Sequence, residues 1–444
     1  MNVTIAGAGE VGTYIAERIA EEAHDVTVIE ADVERGHDLS NSLDADVICG
    51  SASSVDVLKK AAVDKCDLFL SLTANEEVNI VSASIAGRLG AAKTVARIDD
   101  AAFRTDPMFS YQTHFNIDEM FSPNEFAALE MASFIRNPGS LAVEHFAQGT
   151  VVMRQVIIDE SCKYADKTLS ALDIPKDVRI ACITRNTDLI IPVGNTVLQA
   201  GDAALLIGET EKVSEFRKNF KWEWSDTQKV VILGGGRIAS SLARRLKPNE
   251  FHLTIIEHDI LRCEILSGAL PSATVLQGDG TNLDLLTEEH VDTADFFIAT
   301  TAYDEINIMS ALQVKRLGAK KTLVLIHRPD FVHLIQDLGI DHAVSPRAIM
   351  AREVLTLLKK GKERSLADMG AGEAEIMELH FKNEALIGRR LKDISLSKHT
   401  LILMIKRGEK VIIPSGETQL QQKDVLLIIS KLSDRKKVVR LFGV

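Results

Sequence analysis

Residues Val3–Gly12 read VTIAGAGEVG, and residues Val230–Ala239 read VVILGGGRIA. Each stretch is a short apolar run, a glycine turn and the start of a helical pattern. Apolar residues recur at helical spacing over Val11–Ala20, which predicts strand, turn and helix in that order. In the first stretch Gly7, Gly9 and Gly12 form G-x-G-x-x-G, and Glu30 closes the next apolar run, VTVIE. That spacing in that context is the dinucleotide-binding arrangement. Gly7 permits the tight turn, Gly9 bares the backbone toward a pyrophosphate, and Gly12 lets the helix approach the strand. The helix N-terminus presents unpaired N–H groups and a positive dipole end to phosphate. A carboxylate at Glu30 accepts from ribose hydroxyls and repels a 2′-phosphate, which favours NAD or an adenosine nucleotide over NADP.

The second stretch has Gly234, Gly236 and Ala239, with Glu257 closing LTIIE. Alanine at the third position satisfies the same packing requirement. Arg237 replaces Glu10, a change of two charge units. It is expected either to help hold a more highly charged ligand such as ATP or to sit solvated at the helix start.

The two stretches are parts of a duplication. Gly7 and Gly234 lie 227 residues apart, as do Glu30 and Glu257. SLTANEEVNI (Ser71–Ile80) matches ATTAYDEINI (Ala299–Ile308) at an offset of 228. Ser122-Pro123 matches Ser345-Pro346 at 223, and Ile191-Pro192 matches Ile413-Pro414 at 222. A slowly drifting offset means collinear copies of about 220 residues with small loop changes, too long a period for a solenoid repeat.

In the first part of each copy, short apolar strands alternate with helical segments. The strands are Val3–Ala6, Val26–Ile29, Val47–Cys49, Leu68–Leu72 and Thr94–Ile98, then Val230–Leu233, Leu253–Ile256, Thr274–Leu276, Phe296–Thr300 and Thr322–Ile326. That alternation predicts α/β architecture: two Rossmann-like, doubly wound parallel sheets covered on both faces. The second part of each copy is short and β-rich, as in Val151–Ile158, Arg179–Thr184, Leu189–Ile191 and Ala203–Ile207. Gly201-Asp202 and Lys423-Asp424 precede strands as turn signals, and each second part is expected to be a small α+β module. Four domains follow: 1–140, 141–225, 226–365 and 366–444. Helical stretches Asn124–Arg136 and Arg347–Lys360 connect the parts, and GKERSLADMGAGE (361–373) reads as a polar linker.

The chain has 444 residues, 51 Lys+Arg against 63 Asp+Glu, and a formal net charge of −12. That balance disfavours nucleic acid and anionic lipid as partners. A hydrophobic share of 46% excludes a disordered chain. No stretch approaches the roughly 20 apolar residues of a membrane span, and the N-terminus lacks a secretory pattern. Five scattered cysteines form no CxxC pair. Neither a disulfide framework nor a metal site is expected, and the predicted compartment is the cytoplasm. No catalytic set is visible: HExxH, GxSxG and GxxxxGK[ST] are absent, and the twelve histidines share no position between copies. Thr73 and Thr300-Thr301, with Asn79 and Asn307, fall at the strand ends where doubly wound sheets bind ligands. They are candidates for contact with the adenosine or nicotinamide half, or for helix capping. Arg97, in the fifth strand, could approach a phosphate.

GAGEVG (Gly7–Gly12), VIEAD (Val28–Asp32), the two ANEEVNI-type segments, ARID (Ala96–Asp99) and the β modules resemble the TrkA family. These are cytoplasmic regulatory subunits of Trk potassium-uptake systems, built from RCK (KTN) domains each followed by an RCK-C domain. The resemblance covers essentially the whole chain. It implies no enzymatic activity, binding of NAD/NADH and ATP/ADP, and control of potassium flux. It further implies a homodimer or homotetramer held at the inner membrane face by a TrkH- or TrkG-like channel subunit, without insertion. Carried over, the first site would use Gly7, Ala8, Gly9, Glu10, Val11, Gly12, Glu30, Thr73, Ala74 and Arg97. The second would use Gly234, Gly235, Gly236, Arg237, Ile238, Glu257, Thr300 and Thr301. Ser51 stands where many members have aspartate, kept here as Asp279, and Asp99 stands where arginine is common. The alternatives are an NAD-dependent oxidoreductase or a gating subunit of another cation channel or antiporter.

Overall fold

The computed structural model describes residues 1–22, 24–104, 108–136, 151–185, 188–217, 219–220, 227–358, 363–369, 374–408 and 410–443. The chain divides into two compact units, Met1–Ala132 with Ser225–Leu358, and Ser133–Trp224 with Lys359–Val444. The first unit holds both parallel sheets and the second holds both β-rich modules.

The first sheet consists of β1 (Asn2–Ala6), β2 (Asp25–Glu30), β3 (Asp46–Cys49), β4 (Leu68–Ser71), β5 (Thr94–Arg97) and β6 (Glu119–Phe121). They run parallel in the order β3-β2-β1-β4-β5-β6. The first module is antiparallel: β7 (Val151–Ile157), β8 (Val178–Arg185), β9 (Asp188–Ile190) and β10 (Ala203–Glu209), ordered β7-β10-β8-β9. The second parallel sheet repeats the first with β11 (Gln228–Leu233), β12 (Phe251–Glu257), β13 (Thr274–Gln277), β14 (Phe296–Ala299), β15 (Lys321–Leu325) and β16 (His342–Val344), ordered β13-β12-β11-β14-β15-β16. The last module adds β17 (Glu363–Met369), β18 (Ala374–His380), β19 (Thr400–Arg407), β20 (Lys410–Ile412) and β21 (Val425–Lys431), ordered β17-β18-β21-β19-β20. In both parallel sheets the order reverses beside the central strand. The glycine turns after β1 and β11 therefore open at the switch point where such sheets bind ligands.

Two sequence readings need correction. Each parallel sheet has a sixth strand, and at three residues, EMF and HAV, it is too short to show a hydropathy period. The stretch read as a linker contains β17, paired antiparallel with β18. An edge strand needs only backbone donors and acceptors on one side, so its polar sequence carried no strand signal.

The halves of the first unit exchange their last helices. The helix Pro346–Leu358 follows β16 in sequence, yet Met350, Ala351, Val354 and Leu358 lie in the core of the first sheet with Val3, Ile5, Ile15 and Ile19. These four positions fall on one face of the helix, and burying each large side chain contributes about 2 kcal/mol. The helix Pro123–Arg136 reciprocates: Glu125 pairs with Arg245 and accepts a 2.9 Å hydrogen bond from Ser241 on the helix Arg237–Arg245.

Glu130, on the same exchanged helix, meets Nε2 of His342 at 3.3 Å and Nη2 of Arg352 at 2.8 Å. Burial alone would raise its pKa. The hydrogen bond from His342 and the charge of Arg352 outweigh that and hold the carboxyl down, at about 2. A depressed carboxylate stabilises the fold at neutral pH, and that stabilisation fades as pH falls from about 4 toward 2. We expect acid unfolding of the first unit to ease by about 2 kcal/mol across that window, and Glu130→Gln to flatten the pH dependence. Urea midpoints at pH 7, 4 and 3 measure both, and an unchanged slope in the variant counts against the clamp.

In the second unit the two modules share a core that includes Met153, Leu205 and Ile207 with Ile376, Leu403 and Leu427. Arg179 crosses between them, donating to the carbonyl oxygens of Ile402 at 3.3 Å and of Pro414. The turns predicted at Asp202 and Asp424 are built alike. Each buried carboxylate receives a two-pronged arginine, Arg185 or Arg407, and caps a backbone N–H, that of Gln199 or Gln421, at 2.8 Å.

Candidate nucleotide-binding sites

The two glycine turns share one geometry. Gly7 has φ +96° and Gly234 φ +92°, in the left-handed region that favours glycine. A Cβ on Gly7 would also lie 2.8 Å from the backbone of Thr73. Gly9 differs, with φ −71° and extended backbone. A Cβ there would meet nothing within 4 Å, so the space bared by Gly9 belongs to no part of the chain. Gly9 and Gly236 are the N-caps of their helices and have no side chain to close them. The backbone of Glu10, Val11 and Gly12, and of Arg237 and Ile238, forms the first turns behind them, where N–H groups lack intrahelical partners.

Glu30 is 6% exposed. Its Oε2 accepts the N–H of Ala8 at 2.7 Å, and Oε1 that of Asp32 at 2.9 Å. Glu257 repeats this with the N–H groups of Gly235 at 2.6 Å and Asp259 at 2.9 Å. Burial pushes the Glu257 carboxyl up. The backbone donors and nearby His258, whose Nδ1 lies 2.8 Å from Oε1, bring it below its ordinary value. The acid at the end of each second strand thus ties the glycine turn to that strand. A carboxylate offers four acceptor positions, so this bracing leaves capacity for ribose hydroxyls.

Asn79 and Asn307 are fully buried and lie inside their helices rather than at the N-caps, which are Asn75 and Tyr303. Oδ1 of Asn79 accepts the N–H of Thr73 at 2.9 Å and its hydroxyl at 2.7 Å. Its Nδ2 donates to the carbonyl oxygens of Thr73 and Arg97 at 3.1 and 2.9 Å. The cap is Asn75, which accepts from the N–H of Val78 at 2.7 Å. Asn307 repeats the pattern on Thr301 and Leu325. The counterpart of Thr73 is therefore Thr301, whereas the Thr300 hydroxyl donates to the Leu233 carbonyl oxygen at 3.0 Å. Both asparagines fix the loop after the fourth strand against the end of the fifth. A full set of amide partners leaves none for a nucleotide.

Arg97 is engaged by Asp99, through Nε at 3.2 Å and Nη2 at 3.0 Å. Ala74, Ser51 and Asp279 are exposed. Asp279 accepts the N–H and hydroxyl of Thr281 at 2.9 and 2.8 Å, which lowers its pKa. Among the described residues no group of three His, Cys, Asp or Glu is placed to hold a metal, and no helix is long and apolar enough to cross a membrane.

Across each turn lies the other half. A groove of about 550 Å³ runs beside Ala8, Gly9 and Glu10, and Arg35, Arg328 and Arg347 also line it. Arg347 forms an ion pair with Glu10, and the Arg328 guanidinium sits 4.4 Å over the Phe331 ring. At the second turn the charges are inverted: Arg237 stands 4.0 Å from Glu76 and 3.9 Å from Asp100. Sequence reasoning named Glu10 and Arg237 but missed Arg347. It lies over 300 residues from Glu10, and its one signal is its place directly after the repeated Ser345-Pro346.

The TrkA-N domain model matches residues 3–123 and 230–346, and the TrkA-C domain model matches residues 153–221 and 376–443. A Trk system potassium uptake protein TrkA homolog of Archaeoglobus fulgidus is 35% identical over 442 residues, spanning 100% of both chains. Trk system potassium uptake protein TrkA of Haemophilus influenzae is 34% identical over 448 residues, spanning 99% of this chain and 97% of that one. Among solved structures, the GsuK RCK domain superposes with a TM-score of 0.63 at 17% identity over 99% of this chain and 94% of that chain. The GsuK channel bound to NAD gives the same TM-score and identity, covering 79% of that chain. Both domain models match twice, in alternation, and the relatives align end to end, so the chain belongs to the TrkA family of Trk potassium-uptake proteins.

Proposed function

We propose that the chain is the nucleotide-sensing subunit of a Trk-type potassium transporter. NAD(H) and ATP or ADP occupy the clefts behind the two glycine turns and bias the packing of the two halves of the first unit. That change gates potassium passage through a TrkH- or TrkG-like membrane subunit, to which homo-oligomers of this chain attach at the cytoplasmic face. The two parts of the first unit, Met1–Ala132 and Ser225–Leu358, are the sensing domains, and the two parts of the second, Ser133–Trp224 and Lys359–Val444, the RCK-C domains.

The observation that carries this reading is that each glycine turn bears a charge paired with the opposite half, Glu10 with Arg347 and Arg237 with Glu76 and Asp100. Phosphate arriving at either turn competes directly with an inter-half contact. A ligand moves such an equilibrium only through its differential affinity for the two arrangements, and competition for one arginine supplies that difference. Solved proteins of the same fold described as bound to NAD and to ADP support the choice of ligands. The test is potassium flux through the reconstituted membrane partner while ADP, ATP, NAD and NADH are titrated onto this chain. We expect opening to differ at least severalfold between ligands. Flux indifferent to all four sinks the proposal.

A further inference from the structure

Each half carries an arginine beside its glycine turn that has no partner of its own. Arg35 and Arg262 occupy equivalent places in EADVER (Glu30–Arg35) and EHDILR (Glu257–Arg262). In both, the aspartate is the N-cap of the following helix, accepting at 3.1 Å the N–H of the arginine three residues on. Each arginine thus sits in the first turn of a helix, where a cation opposes the macrodipole by a few tenths of a kcal/mol or more. Asp32 and Asp259 cap the two helices and Glu34 shares the first turn of one, yet none of the three pairs with the neighbouring guanidinium. Among the described residues neither guanidinium has a hydrogen-bond or ion-pair partner. The same unfavourable placement occurs twice in halves whose surfaces otherwise differ.

Both arginines border the space beside their glycine turn. Arg35 lines the groove with Ala8 and Gly9. In the second half, a Cβ built on Gly236 would meet one atom within 4 Å, Nη1 of Arg262 at 3.9 Å. A guanidinium at that distance from the glycine faces the volume that Gly236 leaves open. Glu30 and Glu257 already hold carboxylates at the ribose end of each cleft, and the turns carry opposite charges, Glu10 in the first and Arg237 in the second, so neither supplies a cation common to both sites. We propose that Arg35 and Arg262 are the phosphate-holding cations of the two clefts, each laying its guanidinium on the pyrophosphate of a bound nucleotide. Resting on the nucleotide reading above, this assigns the charge-neutralising group of both sites to one position in the repeat. A planar guanidinium suits bidentate contact with phosphate oxygens.

The test uses the full-length chain and three probes: adenosine, AMP and ADP, with adenosine followed by ligand-observed NMR at millimolar concentration. In Arg35→Gln/Arg262→Gln, ADP affinity is expected to fall at least tenfold at each site, with adenosine changing less than twofold. Arg35→Lys/Arg262→Lys should recover most of the ADP affinity, because a point charge still meets phosphate. The melting temperature without ligand should hold or rise, since a cation leaves each helix start. Equal losses for adenosine and ADP would mean the guanidinium stacks on the base and overturn the proposal. So would unchanged ADP binding in the glutamine variant. Wild-type protein that binds no ADP would instead overturn the nucleotide reading, and this assignment with it.

Discussion

Gly9→Ala is expected to lose nucleotide binding at the first site while melting within about 2 °C of the wild type. The two effects separate because the glycines of the turn do different things. At Gly9 the backbone is extended and an added methyl touches no other atom of the chain. Alanine ranks below glycine at an N-cap, a cost of about 0.5–1 kcal/mol, which moves the melting temperature by about 2 °C or less in a protein this size. The same methyl occupies the volume into which a pyrophosphate must come to reach the first-turn amides. Losing that approach should weaken ADP by about 100-fold or more, near 2.7 kcal/mol. Gly236→Ala should do the same to the second site alone. Gly7→Ala is the contrast: positive φ and a Cβ 2.8 Å from Thr73 make it a folding defect, visible in the melt before any ligand is added. Isothermal titration with ADP on each variant counts the sites. Two unaltered sites in Gly9→Ala would mean that nucleotides do not lie across this turn.

How much of this could be read in advance depended on the range of the interaction. Strand, glycine turn and acid lie within about 30 residues, and the structure builds Gly7 and Gly12 for the stated reasons, with a Cβ on Gly12 falling 1.9 Å from the Gly7 carbonyl oxygen. Duplication made the second sheet legible from the first. Asn79 was visible as a repeated residue, but its four hydrogen bonds to Thr73 and Arg97 depend on where β4 and β5 end. Spacing alone left both ligand contact and capping open. β6 and β16 were too short to show a period, and β17 too polar. Arg35 and Arg262 carry no sequence signal beyond their equivalent places in the repeat, and only the fold sets them beside the turns. Arg347 and Glu10 meet through an exchange of helices that no local pattern encodes. A hydropathy period says which face of a helix is apolar, not which sheet that face covers.

The exchanged helix therefore yields the other large effect. Met350 and Leu358 belong in sequence to the second sheet but are buried, at 0% and 3% exposure, in the core of the first. Removing either side chain leaves a cavity that a helix wedged between two halves can only partly fill, and Met350→Ala or Leu358→Ala should cost about 2–4 kcal/mol. The location of the loss is the sharper expectation. Amide hydrogen exchange should accelerate along β1, Val3–Ala6, and the helix Glu10–Glu21, over 300 residues away in the chain, as much as along the mutated helix itself. Acceleration confined to β15 and β16 would mean that the helix packs on its own half and that the exchange is wrong. The functional corollary lies in the same helix. It begins at Pro346 beside Arg347, the partner of Glu10, and runs to Leu358 in the first core. Whatever alters the Glu10–Arg347 pair acts on one end of a rod whose other residues are fixed in the opposite sheet. Loosening that rod should weaken nucleotide-dependent gating even where binding at the glycine turn survives. Flux and ADP affinity measured together on Leu358→Ala would show gating lost with binding kept, whereas loss of both in proportion would place the helix outside the coupling.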